Sequence, residues 1–240
     1  MTQAQQEADL CGMVPEDNPP IFVAQHLSAY AFARPQVAGQ RVLEVGFGSG
    51  YGTVYLAEQA REVVGVDVVE GNIARAQTSY ARANVRYLSF DGRHLPFDDG
   101  AFDAACSFQV IEHVPEPQLV AWLTEIRRVL VPGGRFFVST LNLEHNRKPG
   151  RPYEKLPYHE KEFTAPELHE LLARVFPHVA MHGLQPTLLH RGVRRLKRWG
   201  FLIQRFYDRA STADFVVMPR GIRRAIDLIA VCQAPATPAP

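Results

Sequence analysis

Residues 42–52, VLEVGFGSGYG, restrict what this chain can fold into more than any other stretch, because a β-rich run ends there in closely spaced glycines and gives way to a helical pattern. A strand ending this way lets a ligand approach the backbone where a side chain would collide, and the next helix presents its N-terminal N–H groups at the same place. The dinucleotide frame G-x-G-x-x-G is not met: counted from Gly46 its third place is Tyr51, and counted from Gly48 it is Thr53. Glu44, two residues before the loop, would repel a diphosphate and favour a cationic ligand. The loop therefore points to a ligand without phosphates and away from a nicotinamide oxidoreductase.

Around the loop, apolar periodicity alternates between helix and strand. Residues 21–33 carry a helical pattern closed by Pro35 and Gly39, 41–45 read as a strand, 51–59 as a helix and 63–66 as a second strand. A helix at 71–83, a strand at 85–89, a turn at 95–100, a strand at 104–108, a helix at 118–129, a turn at Pro132-Gly133-Gly134 and a strand at 135–139 follow. Beyond them, 165–176 is helical, 179–183 extended, and 225–231 a last apolar run, with no internal repeat. Such alternation implies a mostly parallel sheet covered on both faces, since right-handed crossovers place a helix over each strand pair.

The chain's 240 residues, 46% hydrophobic and 21% charged, suffice for one α/β domain with its own core. A net charge of +1 gives no reason to invoke a wholesale polyanion partner, so nucleic acid is not expected. No run is long and apolar enough for a membrane span, and the start, MTQAQQEADL, lacks the pattern of a secretory signal, which makes a cytoplasmic location the expectation. Cys11, Cys106 and Cys232 are too few and too scattered for a disulfide framework or a zinc knuckle. Residues 1–20, polar and ending in two prolines, read as a loose arm.

Charge is instead local. Residues 186–224 hold ten basic residues (Arg191, Arg194, Arg195, Lys197, Arg198, Arg205, Arg209, Arg220, Arg223 and Arg224) and two acids, Asp208 and Asp214. Val193, Leu196, Trp199, Ile203 and Phe206 recur there at helical spacing, an apolar stripe beside a basic face. Three readings stay open: a lid packed by its stripe, a clamp for an anionic or lipid-linked acceptor, or peripheral contact of 191–209 with the anionic inner face of a membrane.

Several segments in succession resemble the class I S-adenosylmethionine-dependent methyltransferases, in the broad group with an E-x-G-x-G-x-G loop. Besides the loop they are VVGVD ending at Asp67, SFDGRHLPFDDGAFDAA (89–105), QVIEHV (109–114) and EIRRVLVPGGRFFVST (125–140), and the likeness runs from about His26 to Leu172 and resumes at the final strand. It implies a doubly wound, Rossmann-like seven-stranded sheet with its last strand antiparallel, an N-terminal helical lid, and the basic helical insertion over the strands' carboxyl ends. The corresponding single domain divides into arm and lid (1–36), cofactor-binding core (37–185), insertion (186–224), last strand (225–233) and tail (234–240).

The resemblance also implies S-adenosyl-L-methionine as cofactor. It assigns Glu44, Gly46, Gly48 and Gly50 to the methionine end, Asp67 to the ribose, and Val68, Asp91 and Gly92 to the adenine; Tyr30 and His26 face the carboxylate end or the mouth, and Gln109 joins the cofactor side. The plain alternatives are a strand-end acid for Glu44, a helix cap for Asp67, an Asp-Gly turn for Asp91 and a core position for Cys106. Methyl transfer by in-line displacement needs alignment and exclusion of water, and a base only where the nucleophile carries a proton; no metal is called for. His159, within PYHEKEFTAPEL, and His113, after the fourth strand, are the candidate catalytic residues, with His145 a third; Glu162 and Thr164 read as organisers of the loop and helix start.

The expected acceptor is a small molecule, with an oxygen nucleophile on a sugar or glycan precursor favoured because HLSAYAFARPQVAG (26–39) and the following GYG resemble methyltransferases found with surface-glycan biosynthesis. Carbon or nitrogen methylation of a quinone-like metabolite, and a cofactor-binding module without turnover, are the alternatives. The oligomeric state is not legible.

Overall fold

A computed structural model describes residues 12–147, 150, 152–198 and 204–236. Eight strands, β1 (Arg41–Val45), β2 (Glu62–Asp67), β3 (Val85–Ser89), β4 (Phe102–Phe108), β5 (Leu130–Leu141), β6 (His178–Pro186), β7 (Phe215–Met218) and β8 (Asp227–Gln233), form one sheet in the order β3-β2-β1-β4-β5-β8-β6-β7. The first five pair in parallel, and β8 enters antiparallel between β5 and β6, with Leu141 opposite Asp227. Strand order reverses between β1 and β4, and the crevice at such a switch point, beyond the strands' carboxyl ends, is where open α/β sheets hold ligands.

The helices are α1 (Pro20–Ala33), α2 (Tyr51–Ala57), α3 (Glu70–Ser79), α4 (Leu119–Arg128), the single turn α5 (Leu143–Asn146), α6 (Ala165–Ala173), α7 (Leu188–Arg198) and the short α8 (Gln204–Tyr207). Period-two alternation sends Leu43, Val45, Val64, Val66, Phe136 and Val138 to one face, where α4 and α6 cover them. Val42, Val63, Ala104, Cys106 and Phe137 face α1 and α2. Helix α4 buries Leu119, Trp122, Leu123 and Ile126, the spacing of a single helical face. Each such side chain, fully buried, contributes about 1.5–3 kcal/mol. Cys106 and Cys232 are buried thiols, core positions as the apolar context suggested.

Three expectations need correction. The sheet has eight strands rather than seven, because Phe215–Met218, four residues inside the segment read as a helical insertion, pairs antiparallel with β6 as an edge strand. The loose arm is placed in its described part: the Ser49 hydroxyl donates to the Met13 carbonyl at 2.8 Å, and Gly12 lies against the glycine loop, a Cβ there falling 3.1 Å from Gly48 Cα. The basic segment is anchored by buried His190, whose ring meets Phe206 and Phe215 at 5.5 Å each, while Leu196 of the expected stripe is exposed. Trp199 and Ile203 lie outside the described residues, as does Cys11, and the same holds for the side chains of Arg194, Lys197 and Arg198.

Candidate active site

A cavity of about 830 Å³ opens at the carboxyl ends of β1, β2 and β4. Its first wall is the loop between β1 and α2. Gly46 N–H donates to the Val66 carbonyl at 2.8 Å, and Gly48 N–H to Asp67 Oδ2 at 2.9 Å, while Val69 N–H donates to Asp67 Oδ1 at 2.9 Å. One carboxylate thus fastens both loops, and burial holds its pKa above the ordinary aspartate value despite these donors. Gly46 has φ +77°, and a Cβ there would fall 2.6 Å from Val110 Cγ2, so the position requires glycine.

Tyr30, Gly46, Gly48, Asp67, Val68, Asp91, Gly92 and Gln109 all line this cavity, together with His113 and His159. Gln109 has φ +57°, a strained conformation for a side-chain-bearing residue and one that gathers at functional sites. Val68 is 51% exposed, an apolar platform beside Phe90. Asp91 meets both of its readings: it lines the mouth, and its Oδ1 accepts from Arg93 N–H and His94 N–H at 2.8 Å each, bonds that hold its pKa down.

Two expected ligand residues are not on the wall. Glu44 alternates to the α1 face of β1, where Tyr30 covers it and donates to its Oε1 at 2.7 Å; burial pushes its carboxyl up to about 7. Gly50 caps α2 with φ +97° and serves packing, since a Cβ would fall 2.9 Å from that of Ala76. Gly52, unremarked in the sequence, makes room for Tyr30, whose ring would stand 2.1 Å from a Cβ there. His26 hydrogen-bonds through Nδ1 to the Tyr51 hydroxyl, and burial lowers its pKa to about 4, so it is neutral at physiological pH.

The opposite wall is assembled from distant parts of the chain. Glu112 and His113 occupy a 3₁₀ turn after β4, Tyr158 and His159 come from the loop before α6, Asp227 opens β8, and Gln25 projects from α1. His159 shares its Nδ1 with Glu162 Oε1 at 2.7 Å, and Glu162 Oε2 accepts from the Tyr153 hydroxyl. Burial opposes ionisation of Glu162, but these donors outweigh it and keep its pKa low. His113 Nδ1 lies 3.1 Å from the Tyr158 carbonyl, and its ring meets that of His159 at 5.0 Å. Burial raises Glu112 to about 8, Asp227 and Glu162 adding to the effect, and raises Asp227 to about 6 although Gln25 donates to it at 2.9 Å. His145, on α5, does not line the cavity, nor does any described residue of 186–224.

Among the described residues the ionised lining acids at neutral pH are Asp67, Asp91 and Asp227, with Glu112 held largely protonated by burial, against the one guanidinium of Arg93. That balance, with a backbone cradle that admits no Cβ at Gly46, fits a cationic sulfonium nucleoside and disfavours a diphosphate. Residues 43–138 match the family model described as a methyltransferase domain. A probable S-adenosylmethionine-dependent methyltransferase of Mycobacterium tuberculosis is 32% identical over 235 residues, covering 88% of this chain and 83% of that protein. This chain belongs to the S-adenosylmethionine-dependent methyltransferases. Another probable member, from Mycolicibacterium smegmatis, is 38% identical over 148 residues, and the match covers 62% of this chain and 56% of that relative's length. A fatty-acid O-methyltransferase of the same organism is 29% identical over 186 residues, 72% of this methyltransferase and 64% of that protein. Among solved structures, the N-methyltransferase NodS of Bradyrhizobium japonicum, in complex with S-adenosylhomocysteine, superposes with a TM-score of 0.63 at 16% identity, covering 97% of each chain. The doubly wound fold and S-adenosyl-L-methionine as cofactor follow from this membership.

Sequence reasoning missed Glu112, Asp227 and Gln25 as wall residues. Glu112 had a signal, since it precedes His113 at a strand's carboxyl end, and so had Gln25, the neighbour of His26 on the expected lid helix; Asp227 had none, because only β8's insertion beside β5 brings it to the cavity.

Proposed function

We propose that this methyltransferase methylates a hydroxyl oxygen of a small polyhydroxylated acceptor, a sugar or glycan precursor. The His159–Glu162 pair carries this reading: an acceptor alcohol must lose a proton, and a cavity-lining imidazole whose Nδ1 is bonded to a buried carboxylate presents Nε2 as the acceptor of that proton. Glu162 then stabilises the imidazolium, and His113, Gln25 and Asp227 offer hydrogen-bond partners for further hydroxyls. Bound S-adenosyl-L-methionine supplies the electrophilic methyl group. In this reading Asp67 accepts from its ribose, Val68 and the Asp91–Gly92 turn border its adenine, and the Gly46–Gly48 backbone receives its methionine end, all of them residues that line the cavity. Gln109 stands between the two walls, and Tyr30 closes the site from α1.

A carboxylate acceptor, as the name of the fatty-acid relative denotes for that enzyme, would carry no proton to remove and would leave the His159–Glu162 pair without a task. The pair therefore favours an acceptor that carries a proton on its nucleophilic oxygen. For residues 191–209 and the turn of helix before them, the exposure of Leu188, Leu189 and Leu196 beside exposed Arg191 and Arg195 supports contact with an anionic membrane surface, whereas none of the segment's described residues lines the cavity as an acceptor clamp would. No helix among the described residues is long and apolar enough to cross a membrane.

Incubation with isotope-labelled cofactor and a panel of sugars, quinols and amines, with products identified by mass spectrometry, tests the reaction. The expected product is a methyl ether, and His159→Gln is expected to lower kcat by about 10²–10⁴ while cofactor affinity is retained. Labelled carbon or nitrogen products, or an unaltered kcat in the variant, would overturn the oxygen reading; cofactor binding with no product from any acceptor would indicate a binding module.

A further inference from the structure

We propose that Glu112, His113 and His159 form a binding site for one divalent first-row transition cation at the acceptor end of the cavity. One ligand-capable atom from each residue, a ring nitrogen from either histidine and a carboxylate oxygen, lies within 4.8 Å of the other two. Side chains at that spacing can draw together onto a single ion. Two imidazoles and one carboxylate form a donor set suited to zinc, manganese, iron or cobalt, and poorly suited to magnesium, which prefers oxygen ligands and water.

The second observation is how the rings are held. His159 has Nδ1 at 2.7 Å from Glu162 Oε1, and His113 has Nδ1 at 3.1 Å from the Tyr158 carbonyl. A carbonyl can only accept, so His113 carries its proton on Nδ1; the Glu162 carboxylate imposes the same tautomer on His159. Both rings therefore keep the Nε2 lone pair available. Carboxylate-to-histidine and carbonyl-to-histidine bonds of this kind are the outer-shell supports that orient imidazoles on metals. The third residue shows the complementary deficiency: Glu112 is buried, and its Oε2 has no hydrogen-bond partner. A buried carboxyl oxygen without a partner is costly, and a cation that takes the place of the acid's proton resolves it.

Three protein ligands leave coordination positions open, and since all three residues line the cavity those positions can be taken by acceptor oxygens. The ion's service to the acceptor, holding and orienting an oxygen, rests on the hydroxyl reading above; its occupancy does not. His159 cannot be ligand and base through one nitrogen, so a loaded site makes it a ligand. The sequence carried no metal signal because Glu112-His113 and His159 sit on separate loops, far from any recognised ligand spacing.

The test uses full-length, tag-free protein stripped with a chelator and titrated with Zn²⁺ and Mn²⁺ by calorimetry and with Co²⁺ by visible absorption, in the absence of cofactor and acceptor. One ion per chain is expected, with Co²⁺ giving the ligand-field bands of a nitrogen-containing site. Glu112→Gln and His113→Ala are each expected to weaken binding at least tenfold, and Glu162→Gln, which removes only the support of His159, about 10- to 100-fold. Far-UV dichroism and thermal unfolding of the same variants report whether they are folded, and the isosteric Glu112→Gln keeps the comparison meaningful if His113→Ala does not fold. No saturable binding by the wild type, or equal affinity in the folded variants, would overturn the proposal. Neither result touches the kcat of His159→Gln in chelator, so the cation site and the histidine base can fail separately.

Discussion

The two walls of the cavity are built in opposite ways. The cofactor wall is local: the Gly46–Gly48 backbone, Asp67 and the turn at Asp91 follow β1, β2 and β3 directly, and are joined by short backbone-to-carboxylate bonds. The acceptor wall is collected from the turn after β4, the loop before α6, the start of β8 and the middle of α1. The first wall presents backbone and one shared carboxylate, and the second presents titratable side chains raised or lowered by burial. A wall made of backbone tolerates little change in shape, whereas a wall made of side chains can change specificity by substitution while the fold stays intact.

The largest expected effect is therefore a loss of shape in the first wall. Gly46→Ala must adopt a left-handed conformation, costing roughly 1–2 kcal/mol, and must also displace Val110, whose Cγ2 would be 2.6 Å from the new carbon. With overpacking at about 1–3 kcal/mol, the variant should lose about 2–5 kcal/mol in denaturant unfolding and bind S-adenosylhomocysteine weakly. An unchanged unfolding midpoint would show that the loop is softer than the contrast requires.

Legibility in the sequence follows the same division. Glycine spacing and alternating periodicity are local signals, and they located β1 to β4, the 135–139 part of β5 and the β1–α2 loop without structure, although the turn expected at Pro132-Gly133-Gly134 lies inside β5; the roles of Asp67 and Asp91 came from the family resemblance. Period two also determined something the motif obscured: Glu44, one residue from Leu43 and Val45, which face α4 and α6, must point to the other face, beneath Tyr30. The positive φ of Gln109 had no residue-type signature, since glutamine is not a left-handed former. β7 was hidden because four residues between charged segments give too little alternation, and His190 because a histidine amid arginines reads as surface.

Next in size is the carboxylate that ties the first wall together. Asp67→Ala removes the acceptor of Gly48 N–H and Val69 N–H as well as the expected partner of the ribose, so calorimetry should show cofactor binding weaker by about 1.5–3 kcal/mol. His159→Gln should leave that affinity in place, and a comparable loss there would mean that the two walls are not separable.

Glu44 sharpens the comparison through pH. Burial raises its folded-state pKa from the ordinary glutamate value of 4.5 to about 7, so the folded chain holds a proton that the unfolded chain has released over that interval. Stability that is fully present below about 4.5 must therefore fall as pH rises through 7. Glu44→Gln lacks this penalty and can still accept from Tyr30. The unfolding temperature of Glu44→Gln minus that of wild type should rise between pH 5 and 7 and level off above; taking the difference cancels the opposite contribution of His26, which loses stability as pH falls below 6.5. A flat difference would place Glu44 in contact with water.

The smallest effect belongs to the loop that delivers His159. That loop ends where α6 begins, and Thr164 and Glu167 close a capping box there: Thr164 N–H donates to Glu167 Oε2 at 2.8 Å, and Glu167 N–H donates back to Thr164 Oγ1 at 3.4 Å. The hydroxyl and backbone of Thr164 hold Glu167 below the ordinary glutamate pKa, as expected of a carboxylate at a helix N-terminus. Both groups are spent on the cap, whereas Glu162, two residues earlier, is spent on His159. Thr164→Ala should accordingly cost about 1 kcal/mol of stability, a fall of about 2–4 °C in Tm for a domain of this size. It should leave cofactor affinity unchanged and kcat close to wild type, because the isolated bridge from Asn142 to Phe163 still pins the end of the loop beside β5. A kcat loss as large as that of Glu162→Gln would show that the helix start, rather than the His159–Glu162 bond, sets the position of the imidazole.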